Sequence, residues 1–228
     1  AGWLAASAGV IKENKSMPPH LILLPEVIFN EKKFLQETKA IVKNYGYCVI
    51  VASEGIKNRK DQFIASSASK DSFGHAHLGG VAPKLANIIS NKLSYKVHWA
   101  VADYLQRAAR HLGSSVDVKQ AYAIGFKALH YAKKGVNGVM LTIKKQKTKT
   151  YKWEIKYTKL QNVANFEKEL PKSFIAKDGF GVTSMCKSYI KDLISGEDFP
   201  PYKNGVPVYA KLKLPLAKKK LKKFKVSL

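Results

Sequence analysis

The chain reads as an α/β protein, and three observations predict that class. Residues 20–29 (HLILLPEVIF) and 47–52 (YCVIVA) are nearly continuous apolar runs, the pattern of strands buried on both faces. Between them, apolar residues at Phe34, Leu35, Ala40, Ile41 and Val42 give a rough helical face. Strand and helix patterns then go on alternating along the chain, as they do in folds built on parallel sheets.

Each element has its own signal. Asn30 reads as an N-cap with Glu31 in the first turn, and Gly46 ends that helix. The first strand, helix and second strand form a β-α-β unit, the repeat of a parallel sheet. Residues 57–78 are polar and mixed, which predicts a surface excursion. Gly79-Gly80 opens a helix running through Leu85, Ile88, Ile89 and Leu93. Residues 95–102 (YKVHWAVA) predict a third strand. Asp117 caps a long helix over 118–134, stopped by Gly135. Residues 138–143 (GVMLTI) predict a fourth strand, and the alternation over 150–157 a half-exposed one. A helix over 187–194 stops at Gly196, and Pro200-Pro201 with Asn204-Gly205 mark an exposed turn. No internal repeat is present.

Composition sets the limits. With 228 residues, 46% hydrophobic and 25% charged, the chain is long and apolar enough to bury a sizeable core, and wholesale disorder is excluded. No apolar run approaches the roughly 18 residues of a membrane span. Two cysteines, Cys48 and Cys186, make no disulfide framework, which favours a reducing, cytoplasmic setting. The chain opens at once on an apolar stretch, residues 1–11, with no basic region before it, so it does not read as a signal peptide. A helix burying one face is the plain reading, and a domain seldom begins inside such a segment. The expectation is that Ala1 lies within a longer unit.

The net charge is +24, from 40 Lys+Arg against 16 Asp+Glu. Of the 40 basic residues 37 are Lys; the arginines are Arg59, Arg107 and Arg110. Base readout and bidentate phosphate binding favour Arg, and these lysines are dispersed, so a solvated Lys-rich surface explains most of the charge. The one dense run is the tail, Lys218-Lys219-Lys220-Leu221-Lys222-Lys223-Phe224-Lys225, which suits nucleic acid or anionic lipid but is more often simply solvated.

In open parallel sheets, ligands bind beyond the carboxyl ends of strands. That rule selects Glu26 after the first strand, Glu54 after the second, and Asp103, Tyr104 and Arg107 after the third. A carboxylate accepts bonds from sugar hydroxyls, and an arginine takes a phosphate in fork geometry. The competing readings are structural. Glu26 and Glu54 would be ordinary strand-end acids. Arg107 would pair with Asp103 one helical turn away. Arg107 and Arg110, close together in a lysine-dominated chain, tilt the balance towards function. His75-Ala76-His77 lacks a third ligand for a metal. His98 reads as structural, Cys48 as inert core, and Gly79-Gly80 as a tight turn rather than a phosphate loop.

Taken together, these residues resemble the C-terminal half of a phosphofructokinase, most closely the pyrophosphate-dependent kind. The matching stretches run from Ala1-Gly2-Trp3-Leu4-Ala5-Ala6-Ser7 through Pro18-Pro19-His20-Leu21-Ile22, Leu24-Pro25-Glu26 and Val51-Ala52-Ser53-Glu54-Gly55 to Phe73-Gly74-His75-Ala76-His77-Leu78-Gly79-Gly80. They continue with Ala102-Asp103-Tyr104-Leu105-Gln106-Arg107-Ala108-Ala109-Arg110-His111, Val163-Ala164-Asn165, Asp178-Gly179-Phe180-Gly181 and Gly196-Glu197-Asp198-Phe199-Pro200-Pro201-Tyr202. Their order and spacing cover nearly the whole chain. The resemblance implies a phosphofructokinase-like fold, with three-layer α/β lobes and largely parallel sheets. Residues 1–105 would form most of the lobe that binds fructose 6-phosphate. Residues 106–215 would return to the phosphoryl-donor lobe, and 216–228 would be a basic tail. It further implies that Glu26 contacts the sugar and that Tyr104 and Arg107 hold its 6-phosphate. Bacterial ATP-dependent relatives carry His in place of Tyr104 and draw on a basic residue of a neighbouring subunit; His98 falls near that place without a good match.

The departures are as specific. The family's Gly-Gly-Asp donor loop, its Thr-Ile-Asp-Asn-Asp loop with the catalytic base and its Met-Gly-Arg element are absent from these 228 residues. The expectation is therefore part of an enzyme that transfers a phosphoryl group from pyrophosphate to the 1-hydroxyl of fructose 6-phosphate, with Mg²⁺ on the donor, in glycolysis. The missing N-terminal half would be supplied by the same or a separate chain, in a homo-oligomer. The fragment alone is expected to be inactive, with no catalytic residue of its own. No specific nucleic-acid or membrane partner is expected. The alternatives are an ATP-dependent enzyme of the same fold, a basic nucleic-acid-binding module and a non-catalytic regulatory subunit.

Overall fold

A computed structural model describes residues 1–70, 76–78 and 80–221. The apolar start folds as a short helix, α1 (Trp3–Ser7), continued by a 3-10 turn, Ala8–Ile11, with Ala5, Ala6 and Gly9 buried. A Cβ on Gly9 would lie 2.5 Å from Val182 and 2.9 Å from Ile22, so glycine is what lets this turn press onto the first strand.

That strand, β1 (Leu21–Leu23), is buried on both faces and pairs in parallel with β2 (Ile50–Ala52), in the register Leu21↔Ile50, Ile22↔Val51 and Leu23↔Ala52. The connecting helix, α2 (Glu31–Tyr45), starts where the sequence places it. Asn30 accepts the Lys33 N–H at 3.1 Å, and Gly46 closes the helix at φ 82°. The β1 strand is shorter than the apolar run predicts. Pro25 has no N–H to continue the ladder, the Val27 N–H turns back to Leu24 O at 3.1 Å, and the Phe29 N–H goes to Lys57 O.

The excursion over 57–78 contains a backbone pair, β3 (Ser66–Lys70) and β4 (Ala76–Leu78), running antiparallel. Helix α3 (Val81–Leu93) follows Gly80, whose φ is 95°; Gly79 lies outside the described residues. The predicted third strand does not form. Residues 95–101 have no regular secondary structure; Tyr95 and Val97 pack against the core, while Trp99 and Val101 are exposed and no strand pairs with the segment among the described residues. Alternation alone does not make a strand, which also needs a neighbour for its N–H and C=O groups.

A one-turn helix, α4 (Leu105–Ala108), precedes the long α5 (Ser115–Lys133). The cap of α5 is Ser114, which accepts the Asp117 N–H at 3.1 Å, and not Asp117 itself. Then β5 (Val139–Lys145) and β6 (Trp153–Lys159) form an antiparallel pair centred on Thr142↔Lys156. Helix α6 (Ser184–Leu193) is capped by Thr183. The exposed turn near the end is a hairpin of β7 (Tyr202–Lys203) and β8 (Val206–Pro207), with Asn204 and Gly205 at φ 51° and 78°, the positive values a two-residue primed turn requires.

Two apolar clusters share β1. Leu21 and Leu23 face α2 and α3, with Phe34, Ile56, Val81, Leu85 and Ile89. Ile22 and Leu24 face the other way, onto Ala6 of α1, Leu170, and Cys186 and Ile190 of α6. Helices therefore cover both faces of the β1–β2 pair, giving three layers. The Ile22 N–H also donates to Phe180 O at 2.8 Å, so residues near 180 lie along the edge of β1.

Candidate functional site

The candidate residues follow β1, β2 and the irregular segment 95–101. Glu26 lies in the turn after β1. Its Oε1 accepts two backbone N–H groups, from Gly2 and Leu170, each at 2.9 Å. One carboxylate oxygen thus joins three remote stretches of chain. The other, Oε2, is buried and has no partner among the described residues. A Cβ at Gly2 would come within 2.6 Å of that oxygen, so glycine keeps the space beside it open. Glu54, after β2, is exposed and forms no ion pair among the described residues.

Tyr104 and Arg107 are brought together by α4. The Arg107 N–H donates to Tyr104 O at 2.9 Å, and the guanidinium carbon lies 5.7 Å from the Tyr104 ring centre, a cation–π distance. Both side chains face solvent, Tyr104 with 70% of its surface exposed. The competing pairing of Arg107 with Asp103 is not found; no carboxylate neutralises Arg107 among the described residues. Arg110 is different. Its guanidinium holds Asp198 through Oδ1 at 2.6 Å and through the backbone oxygen at 2.5 Å, so it ties residue 198 to the start of α5 and serves the fold. No hydrogen bond links Glu26 to Tyr104 or Arg107 among the described residues. The wide grooves, of about 450 Å³, lie elsewhere, around Phe29, Asn58 and Lys84.

The remaining candidates are quiet. His75 and Gly79 lie outside the described residues. Burial pushes the Cys48 thiol up to about 11, which suits inert core. Sequence reasoning missed a basic chain beneath β1. Lys187 donates to Lys12 O, Lys12 Nζ donates to His20 O at 2.9 Å, and the Val49 N–H donates to His20 Nδ1 at 3.0 Å. Burial lowers the pKa of both Lys12 and His20. Nothing in the apolar run marks His20 as part of such a network.

The chain is 48% identical over 226 residues to the pyrophosphate–fructose 6-phosphate 1-phosphotransferase of Halomonas elongata, covering 99% of this chain and 54% of that one. It is 48% identical over 212 residues to the enzyme of the same name from Methylococcus capsulatus, covering 93% and 50%. The crystal structure of the pyrophosphate-dependent phosphofructokinase of Marinobacter aquaeolei superposes with a TM-score of 0.83 at 45% identity, over 99% of this chain and 53% of that one.

The chain belongs to the phosphofructokinase family.

No family profile matches it. The chain spans about half the length of the phosphofructokinases it matches. The three layers about β1 are the phosphofructokinase-like α/β fold expected from the sequence. No group of three or more His, Cys, Asp or Glu side chains that could hold a metal occurs among the described residues, so they form no all-protein cage for Mg²⁺, which is more often held by one or two carboxylates with substrate phosphates. No helix among the described residues is long and apolar enough to cross a membrane.

Proposed function

We propose that this chain is the sugar-phosphate half of a pyrophosphate-dependent fructose 6-phosphate 1-phosphotransferase. The observation that carries the reading is Arg107: an exposed guanidinium beside the Tyr104 phenol, without a carboxylate to neutralise it. The names of relatives at 48% identity supply the donor and the acceptor. Residues 1–105 make most of the sugar lobe, and 106–215 return towards the donor lobe.

The chemistry assigned to these residues is binding and orientation. Arg107 takes two oxygens of the 6-phosphate in its fork, and the Tyr104 hydroxyl donates to a third. Glu26, through its unpartnered Oε2, which is buried until the turn after β1 shifts, accepts from a sugar hydroxyl, and Glu54 offers a second, exposed carboxylate. Fixing the far phosphate uses remote binding energy to hold the 1-hydroxyl in line for attack. The donor-binding and proton-accepting loops are not among these 228 residues, and phosphoryl transfer depends on them. This chain accordingly binds sugar phosphate without turnover, and the donor with any Mg²⁺ falls to the other half. A homo-oligomer in the cytoplasm completes the reading.

Calorimetric titration of the chain with fructose 6-phosphate tests it. Arg107→Ala removes a charge-assisted contact and is expected to weaken binding roughly 10- to 150-fold. Glu54→Gln and Glu26→Gln in the same titration apportion the hydroxyl contacts. Unchanged affinity in Arg107→Ala would sink the assignment.

A further inference from the structure

Two of the three arginines have neighbours that explain them: Arg110 holds Asp198, and Arg107 stands beside Tyr104. Arg59 has no such neighbour. It sits on a short loop whose ends, Lys57 and Phe63, face each other as an antiparallel bridge. The loop is organised by its own hydrogen bonds. The Asn58 N–H donates to Gln62 O at 2.9 Å, and Asn58 Oδ1 accepts the N–H groups of Lys60 and Gln62 at 2.8 and 3.1 Å. Asp61, the loop's one acid, takes a left-handed conformation at φ 56° and is held by Lys57 at 2.9 Å. Arg59 and Lys60 are left at the tip, exposed and without a carboxylate partner among the described residues.

Two grooves of about 450 Å³ each meet at this loop, and Phe29, Glu31 and Asn58 line both, so the two form one trough. One end is cationic, with Lys32, Arg59 and Lys60. The other is lined by Phe63, Ile64 and Ile88, with Gln62 beside them. Lys57 covers one face of the Phe63 ring, its Nζ 4.9 Å from the centre. Gln62 Oε1 accepts from the Asn58 amide at 3.3 Å, which leaves the Gln62 amide N–H groups to donate. Glu31, common to both ends, is exposed and forms no ion pair among the described residues.

We infer that this trough is a binding site for a nucleoside monophosphate. The arginine fork and the two ammonium groups take the phosphate. Glu31 accepts from the paired hydroxyls of a ribose. A flat base lies over Phe63 and Ile88, with Gln62 donating to a ring acceptor. A second phosphate would be brought against the Glu31 carboxylate, which favours one phosphate over two. Inorganic phosphate alone would leave the apolar end bare. The size agrees, since sites for small ligands run to about 300–1,000 Å³. The site is independent of the sugar-phosphate assignment, with which it shares no residue.

Calorimetric titration of this chain with AMP tests it. One-to-one binding is expected, with inorganic phosphate and adenosine, the two halves of the probe, each weaker by about tenfold or more. Arg59→Ala is expected to weaken AMP roughly 10- to 150-fold through the lost charge-assisted contact. Arg59→Lys, which keeps the charge and loses the fork, should fall between that variant and the parent. Phe63→Leu is expected to weaken AMP about tenfold while leaving inorganic phosphate unchanged. Arg107→Ala should leave AMP binding as it is, and Arg59→Ala should leave fructose 6-phosphate binding and the melting temperature as they are. Four outcomes overturn the inference: no binding of AMP at millimolar concentration, AMP no tighter than inorganic phosphate, affinity indifferent to Arg59→Ala, or AMP binding lost in Arg107→Ala. Titration with fructose 6-phosphate separates the two readings. AMP binding without sugar-phosphate binding refutes the sugar site and keeps the trough; sugar-phosphate binding without AMP binding does the reverse.

Discussion

At the scale of single residues, the groups that matter are those whose polar atoms are counted out. Glu26 was selected in the sequence for its place after a strand, but its two bonds to Gly2 and Leu170 were not legible there, because both partners are brought to it by the fold. Arg107 was legible as a rare arginine, and its freedom from Asp103 was not. His20 shows what an apolar run conceals. Its Nδ1 accepts the Val49 N–H, so the ring proton sits on Nε2, which is buried without a partner among the described residues. Protonation would set a second donor against Val49. Burial, the larger cause, and then Lys12 hold its pKa below the ordinary 6.5, against an opposing backbone bond. The sign follows: below that value the unfolded chain binds more protons than the folded one, so stability is full above pH 6.5 and is lost as pH falls through it. Melting temperature followed from pH 8 to 5 should decline in the acid range, and His20→Gln, which keeps an acceptor but does not titrate, should flatten that decline. An equal decline in the variant would assign it to other groups.

At the scale of elements, the sequence was most informative where local chemistry decides. The Asn30 cap, the Gly46 stop and the Asn204-Gly205 turn are settled within a few residues, and each was read correctly. The failures needed remote information. Residues 95–101 alternate as a strand does, yet no ladder partner lies beside them among the described residues. Helix α5 begins three residues before the start its sequence predicts, because Asp117 and Ser114 are both good caps and only the fold chooses. Ser114 wins by doing two things at once: it accepts the Asp117 N–H at 3.1 Å and donates to Leu193 O at 2.8 Å, joining the start of α5 to the end of α6. Ser114→Ala removes both. Loss of a cap of this kind costs about 1 kcal/mol, within roughly 0.5–2. For a chain of this length that lowers the melting temperature by about 2–4 °C. A change of less than half a degree would mean that Asp117 takes over as the cap.

At the scale of the whole molecule, the question is which parts the core holds. The double burial of β1 was readable, because Leu21-Ile22-Leu23-Leu24 has no polar face to give to water. What fills the far side was not. Leu170, Cys186 and Ile190 return from the other end of the chain to meet α1, and the Trp3 indole fixes the arrangement by donating to Lys168 O at 2.8 Å. No local pattern encodes a contact across more than 160 residues. Among the described residues the last attachment is the Val208 N–H bond to Pro201 O at 2.7 Å. Beyond it, Leu212, Leu214, Leu216 and Leu221 are 82–98% exposed. Side chains that bury nothing contribute nothing to the cooperative unit, however apolar they are. Truncation after Ala210 should therefore change the stability of this chain by less than about 0.5 kcal/mol. That is a shift in melting temperature of about 1–2 °C at most. Trypsin should reach Lys211, Lys213 and Lys218–Lys220 before it cuts within β1–α3. A larger loss on truncation, or a tail that resists trypsin, would show that the leucines pack in solution and that the cooperative unit extends past the β7–β8 hairpin.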